Sequence, residues 1–378
     1  MGQGYHYETM GNLVKKHIVI SAVNIRKGGT LTVLKDCLGY LANCQDLKVT
    51  AIVHDRSLCW FKGIDYIEIP WSTKSWIHRL WCEYHTMKGI SKKLQFVDLW
   101  FSLHDTTPDV VAGRQAVYCH TSFPFMKTKR QDWEMDYKIP LFARFTRLAY
   151  KINVRRNSYL VVQQRWLRES LSELIGYPAE KIIVAPPAFM VPDIPDTNVE
   201  HGLFFYPASA DCHKNFETLC EAVALLEERI APGSFRIVLT IDGSENRYAA
   251  WLKKTYGHLK SVEFHGFMSK DELYDYYGKA TCLVFPSRIE TWGLPISEFK
   301  PSGKPMILSD LPYAHETAAG ALSVAFFQPD NASELANIMG SLITGPTGNN
   351  PFTKAPTTAD PETPFADGWE SLFRILLA

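Results

Sequence analysis

The chain has 378 residues, 46% apolar and 21% charged, with 40 Lys and Arg balancing 40 Asp and Glu. That length exceeds one ordinary hydrophobic core and predicts two domains. The composition is that of an ordinary globular protein, and zero net charge gives no bulk attraction for nucleic acid, so no nucleic-acid partner is expected.

Met1–Lys16 is polar and Gly-rich and reads as a frayed end rather than a targeting segment. His17–Val23 is an apolar strand, and a loop carrying Gly28-Gly29-Thr30 follows. Leu31, Leu34, Cys37, Leu38 and Leu41 then fall at helical spacing. Further strands are expected at Val49–His54, Tyr66–Ile69, Val97–Leu103, Ala116–His120 and Tyr159–Val162, then a helix from Arg165 and a strand at Ile182–Ala185. Repeated strand–helix units predict a parallel, doubly wound sheet. Within this half, Lys127–Arg168 carries eleven Lys and Arg against three acids, interleaved with Trp133, Tyr137, Phe142, Phe145, Tyr150 and Trp166. Leu148, Ile152 and Leu160 are assigned to the core. The basic-aromatic remainder, with Trp71–Lys93, suits an anionic membrane surface or a lipid-diphosphate acceptor, a solvated charged face being the alternative.

Pro186–His201 has four prolines and no periodicity, which marks a linker. A second series follows, with strands at Leu203–Tyr206, Arg236–Ile241, Val262–His265, Ala280–Phe285, Pro305–Leu308 and Leu322–Phe327. Its first helix puts Phe216, Leu219, Cys220, Val223 and Leu226 on one face, and Ser269-Lys-Asp-Glu272 is a capping-box signature. Gly345–Pro364 reads as a surface loop and Trp369–Leu377 as a short amphipathic helix. The expected organisation is an N-terminal Rossmann-like domain (1–186), a linker (187–201), a second Rossmann-like domain (202–365) and a terminal helix (366–378). The two doubly wound sheets are expected to face each other across a cleft, with ligands at their strand C-termini. Eight cysteines show no Cys-x-x-Cys pair and no zinc spacing, pointing to buried thiols in a reducing cytoplasm. No stretch approaches the ~20 apolar residues that span a bilayer, so membrane contact is peripheral at most.

The most informative segment is Pro286-Ser-Arg-Ile-Glu290-Thr-Trp-Gly-Leu-Pro-Ile-Ser-Glu298. Two acceptor-only carboxylates flank a Gly-Leu-Pro turn at a helix start, after an apolar strand. The unpaired amides of a helix start hold phosphate, and carboxylates on either side bind hydroxyls. A nucleotide diphosphate sugar has that layout. The segment resembles the Glu-x7-Glu motif of retaining glycosyltransferase family 4, of the GT-B fold. Thr291 and Trp292 stand in place of that family's Gly and Phe, whereas Glu290, Gly293, Leu294, Pro295 and Glu298 match. The resemblance implies that Glu290 touches the donor hexose, Glu298 the ribose, and the amides near Gly293 and Leu294 the phosphates. It also implies that the terminal helix packs back on the N-terminal domain.

Lys214, after the first strand of the second series, is placed to neutralise a leaving diphosphate. The family's companion Arg is missing: Ala208 or Ser209 stands there, with His213 or Arg288 as candidate replacements. By the resemblance, Gly28 and Gly29 lie beside the donor phosphates, and His120 approaches the donor sugar, a structural His being the alternative. His104 and Asp105 are candidates for acceptor contact. By the resemblance, the backbone of His265-Gly266 and of Pro286–Ile289 lies near the nucleobase, with Arg288 and Thr291 as further candidates for donor contact. His315 and Glu316 either line the same wall or cap a helix. No Asp-x-Asp pair occurs, so no metal and no separate cofactor are expected. The implied activity is retaining transfer of a hexose, mannose being favoured, to a glycan or lipid-linked acceptor in bacterial O-antigen, capsule or similar polysaccharide synthesis. A GT-B epimerase, or a degenerate transferase serving as a partner subunit, is the alternative.

Overall fold

The computed structural model describes residues 15–187, 192–195, 197–231, 233–345, 350–357 and 361–378. The frayed-end reading of Met1–Lys16 therefore lies almost wholly outside the described residues. So do parts of the expected linker and of the loop before the terminal helix.

The apolar runs become short parallel strands, because a strand covered by helices on both faces is apolar throughout. The first series runs β1 (Lys16–Ala22), α1 (Gly28–Ala42), β2 (Leu47–Val53), β3 (Asp65–Glu68), α2 (Trp76–Trp81), α3 (Met87–Leu94), β4 (Leu99–Ser102) and β5 (Arg114–Tyr118). It continues through α4 (Arg130–Asp136), α5 (Lys138–Ala149), β6 (Tyr159–Val162), α6 (Arg165–Ile175) and β7 (Ile182–Val184). The second series runs β8 (Leu203–Tyr206), α7 (Phe216–Glu227), β9 (Arg236–Leu239), α8 (Arg247–Tyr256), β10 (Val262–Phe264), α9 (Lys270–Lys279) and β11 (Cys282–Phe285). It ends with α10 (Leu294–Phe299), β12 (Met306–Ser309), α11 (Pro312–Thr317), β13 (Val324–Phe327), α12 (Ala332–Thr344) and α13 (Trp369–Leu377).

The strand orders are β3-β2-β1-β4-β5-β6-β7 and β10-β9-β8-β11-β12-β13. Each sheet therefore reverses its winding once, between β1 and β4 and between β8 and β11. In open α/β sheets the crevice at such a reversal is where ligands sit. Lys214 follows β8 and Glu290 follows β11, so the sequence motifs of the second sheet flank its reversal point. In the first sheet Gly28 follows β1, and His104 follows β4.

The chain divides into two compact units. One comprises residues up to His120 with Ile152–Val161 and Trp369–Ala378; the other comprises Thr121–Lys151 and Val162–Gly368. In the first, α13 buries Leu372, Phe373 and Leu376, with Phe373 stacked on Tyr40 of α1 (ring centroids 5.9 Å) and edge-on to Phe101 of β4. In the second, Phe204, Phe205, Tyr206, Phe216, Phe285 and Phe299 are almost fully buried in one core. Each such side chain contributes roughly 1.5–3 kcal/mol by leaving water. The free cysteines are buried apart from Cys44, which is half-buried. No helix among the described residues is long and apolar enough to cross a membrane.

Two expectations need correction. Leu148 and Ile152 are not core residues: they are 60% and 45% exposed, whereas Leu160 is buried as expected. The reason lies in α5, whose buried face is carried by Pro140, Ala143 and Thr146, small side chains that leave Leu148 on the opposite side. In addition, Lys127–Lys151 contains two helices, α4 and α5, that the alternation of charge and aromatic residues did not reveal. Strand ends fall one or two residues inside several expected limits, yet the ladder carries on from Leu103 N–H to the Ser21 carbonyl (2.8 Å) and from His265 N–H to the Leu239 carbonyl (3.0 Å).

Candidate active site

The loop after β8 is a 3-10 turn, Cys212–Lys214, closed by Asn215 in the left-handed region at φ +60°. Asn215 is fully buried, and its side-chain amide donates to the carbonyls of Pro286 (3.1 Å) and Pro329 (2.7 Å). The Tyr206 hydroxyl donates to the Lys214 carbonyl (2.7 Å). The loop bearing Lys214 is thus fastened to the end of β11. From there the Lys214 ammonium reaches the Glu290 carboxylate, Nζ to Oε1 2.5 Å, both side chains being mostly buried. The Ser287 hydroxyl donates to the same oxygen (2.6 Å), and Ser287 is itself held by the Tyr313 hydroxyl donating to its carbonyl (2.7 Å).

Past Glu290 the chain turns through half-buried Thr291 and Trp292 into α10. The Trp292 indole donates to the Ser297 hydroxyl (2.9 Å), and Thr317 bonds the Trp292 carbonyl. Gly293 has φ +86°, and a Cβ there would stand 3.2 Å from Ile296, so this turn requires glycine. Leu294 opens α10 and is partly exposed; Pro295 occupies the first turn, where its missing N–H costs nothing. Glu298 lies on α10 and accepts a hydrogen bond from the Tyr277 hydroxyl (2.9 Å). Burial raises its carboxyl above the usual range.

Neither proposed replacement for the missing arginine is a free cation. The Arg288 guanidinium forms a bidentate pair with Asp132 of α4, the two side chains 7% and 1% exposed, and also donates to the Cys212 carbonyl (3.0 Å). Its backbone N–H bonds the His213 carbonyl (2.8 Å). His213 is buried with Nδ1 unpartnered, and burial pushes its imidazole well below its ordinary value, so it is neutral. No local pattern in the sequence points to Asp132 as the partner of Arg288.

His265 pairs with Glu272 (3.4 Å), and Gly266 has φ +97°, where a Cβ would meet Asp242 at 3.3 Å. Ser269 caps α9 by accepting the Glu272 N–H (3.3 Å). Glu316 is a capping residue rather than a wall: its carboxylate accepts the N–H groups of Arg165 (2.9 Å) and Trp166 (2.8 Å) at the start of α6. His315 bonds Asp310 (2.7 Å) and stacks on Phe326.

In the first unit Gly28 has φ +71° at the start of α1, and neither Gly28 nor Gly29 has a neighbour close to where a Cβ would stand, leaving the backbone open to approach. His120 follows β5 with its ring stacked on Tyr118 (4.4 Å) and its N–H bonded to Asp105 (2.6 Å). The residue keeps some surface, but Nε2 is buried without a partner, and burial pushes the imidazole down to about 4. Asp105 is itself left-handed at φ +68°, a strained state for a non-glycine. Beside it lies a buried network the sequence did not suggest. His104 Nε2 bonds Ser21 (2.9 Å), its Nδ1 faces Glu83 (3.5 Å), and Glu83 pairs with Arg79 (2.8 Å) from the π-helical turn Cys82–Thr86.

Two parallel sheets, wound from their own first strands as 3-2-1-4-5-6-7 and 3-2-1-4-5-6 and each with its polar motif residues at the reversal point, define the GT-B class of α/β protein. The region 192–355 matches the family described as glycosyl transferases group 1, and it holds the whole Lys214, Glu290 and Glu298 arrangement. The chain is 26% identical over 184 residues, 48% of its length, to the O-antigen chain mannosyltransferase RfbU of Salmonella typhimurium, and spans about half the length of that relative. Among solved structures it is similar to the lipopolysaccharide outer core galactosyltransferase WaaB (TM-score 0.61, 14% identity, 87% of this chain and 90% of that one). It is similar too to Anabaena HepE in complex with UDP-glucose (0.59, 14%, 87% and 90%) and to sucrose-phosphate synthase of Thermosynechococcus elongatus (0.63, 16%, 88% and 90%). At these identities the structures speak for the fold.

Proposed function

We propose that this chain is a retaining glycosyltransferase of family 4 type. It moves a hexose from a nucleotide diphosphate sugar to a glycan or lipid-linked acceptor in the synthesis of a bacterial surface polysaccharide. The observation that carries the reading is the Lys214–Glu290 pair at the reversal point of the second sheet, 2.5 Å apart and braced by Ser287 and Asn215. A donor entering there would exchange the ion pair for its own groups: the diphosphate against Lys214, the hexose hydroxyls against Glu290. Glu298, eight residues on, takes the ribose, while His265, Gly266, Thr291, Gly293 and Leu294 of the same unit line the rest of the donor path. In the reaction the anomeric C–O bond to the diphosphate breaks. The acceptor oxygen bonds the same carbon from the same face, and its proton passes to the departing phosphate oxygen. Lys214 stabilises the charge on that leaving group, so no metal is required. Mannose is favoured as the hexose by the likeness to a mannosyltransferase.

A catalytically silent partner subunit is the second reading. It draws on one observation, that Arg288 is held by Asp132 and His213 is neutral, so that Lys214 must neutralise the diphosphate without the companion the family supplies. The test is the anomeric form of the first sugar released when a bound α-linked donor is slowly hydrolysed, followed by proton NMR. Release of α-hexose, lost in Glu290→Ala, supports the proposal. Release of β-hexose refutes retention, and no turnover with any acceptor extract favours the silent subunit.

A further inference from the structure

We infer that α5 and the residue leading into it form a docking surface for an anionic lipid bilayer. Tyr137, Phe145 and Leu148 are 58%, 62% and 60% exposed, and half-buried Leu141 lies between them. At about 100° per residue these four positions fall within an arc of about 80° on the helix. The face turned inward is occupied by Ala143 and Thr146. Exposed Lys138, Arg144, Arg147 and Lys151 flank the apolar stripe on both sides. No Asp or Glu occurs from Tyr137 to Arg168, a stretch with eight Lys and Arg. The nearest acids are already engaged: Glu134 with Arg130 (2.7 Å) and Asp136 with the Lys138 N–H (3.1 Å).

An apolar stripe bordered only by cations fits a bilayer interface, where rings and Leu enter the acyl boundary and the cations meet phosphates. A second copy of the chain fits poorly, because a two-fold contact would set cations against cations. Nucleic acid would use the cations but leave Leu141 and Leu148 without a role. The charge pattern therefore selects the lipid surface. The inference goes beyond the transfer chemistry and stands or falls without it.

The full chain is sedimented with phosphatidylcholine vesicles, with and without 30% phosphatidylglycerol, at physiological salt. Binding is expected with the anionic vesicles only, and raised salt should release it. Arg144→Gln/Arg147→Gln/Lys151→Gln should weaken it by about 100-fold, and Tyr137→Ser/Phe145→Ser/Leu148→Ser by at least about 10-fold. The melting temperature of each variant reports that the fold is kept. Helix α2 supplies the internal control, since Trp76 and Trp81 are also exposed, at 57% and 58%. The inference is overturned if wild-type chain ignores anionic vesicles, binds neutral ones equally, or keeps its binding in both α5 variants. It is also overturned if only Trp76→Ser/Trp81→Ser abolishes binding, or if an oligonucleotide binds in place of the vesicles.

Discussion

The Asp132–Arg288 pair makes the sharpest energetic prediction. Asp132→Ala would leave a guanidinium that is 7% exposed without its bidentate partner, and would strip the Lys129 N–H of its 2.7 Å acceptor. An uncompensated buried charge costs about 3–5 kcal/mol, and the lost acceptor about 1 more. The single variant should therefore lose about 4–6 kcal/mol, a large part of the stability of a typical domain. Replacing both partners, as Asp132→Leu/Arg288→Met, removes the charges together. That change alone is close to neutral, but it deprives the Cys212 carbonyl of its 3.0 Å donor and the Lys129 N–H of its 2.7 Å acceptor, so a net cost of about 2–4 kcal/mol is expected. The double variant should thus be more stable than the single one by about 2 kcal/mol, the reverse of additivity. Urea unfolding by circular dichroism and tryptophan fluorescence provides the assay, with each transition fitted separately because two units need not unfold as one. A single variant that loses under about 2 kcal/mol, or that matches the double, would refute the argument.

Three further outcomes follow from the same geometry. Glu290→Gln and Lys214→Met should each lower transfer by about 100- to 1000-fold, with a cooperative unfolding transition that loses up to about 3 kcal/mol because a mostly buried partner is left unpaired; near-normal turnover would remove the pair from the chemistry. His120, held down to about 4 by burial, binds a proton in the unfolded chain before it does in the folded one. Through His120 the first unit should therefore lose about 3 kcal/mol as pH falls from about 6.5 to 4, and His120→Gln should remove that share in pH-dependent denaturation, leaving what His17 and His104, also held down by burial, contribute. Glu298 has the opposite sign. Its raised carboxyl means the folded state holds the proton longer, so wild-type stability declines as pH rises above the ordinary carboxyl value of 4.5. Glu298→Gln should escape that decline, gaining on wild type between pH 4.5 and 7.5 in thermal melts while losing nucleotide affinity.

Much of this was legible in the sequence, for a physical reason. Runs such as Leu203–Tyr206 and Tyr159–Val162 have too many apolar side chains in succession to be anything but covered strands, and their limits match the structure. Lys214 and Glu290 lie 76 positions apart yet meet because β8 and β11 are neighbours in the sheet, as the strand–helix alternation implies. Polar pairings without periodicity were not legible. Asp132 meets Arg288 across 156 positions, and Glu316 caps α6 across 150 and 151, neither leaving any local trace. Tyr277, the partner of Glu298, hid within an ordinary helical pattern. Leu148 misled for a related reason: an apolar side chain suggests burial, whereas what packs against its helix decides which face is covered.

The central claim is a donor site built on Lys214 and Glu290, and nucleotide-sugar binding tests it most directly. Purified chain is melted with UDP-, GDP-, ADP- and dTDP-sugars in the presence of EDTA, alongside Glu290→Ala and Lys214→Ala. At ligand concentrations near a hundred times the dissociation constant, binding adds about 2.7 kcal/mol, or about 5–10 °C for a unit of this size. The account predicts such a shift with one nucleotide class and its loss in both variants. Stabilisation by none of them, or an equal shift in wild type and variants, would contradict it.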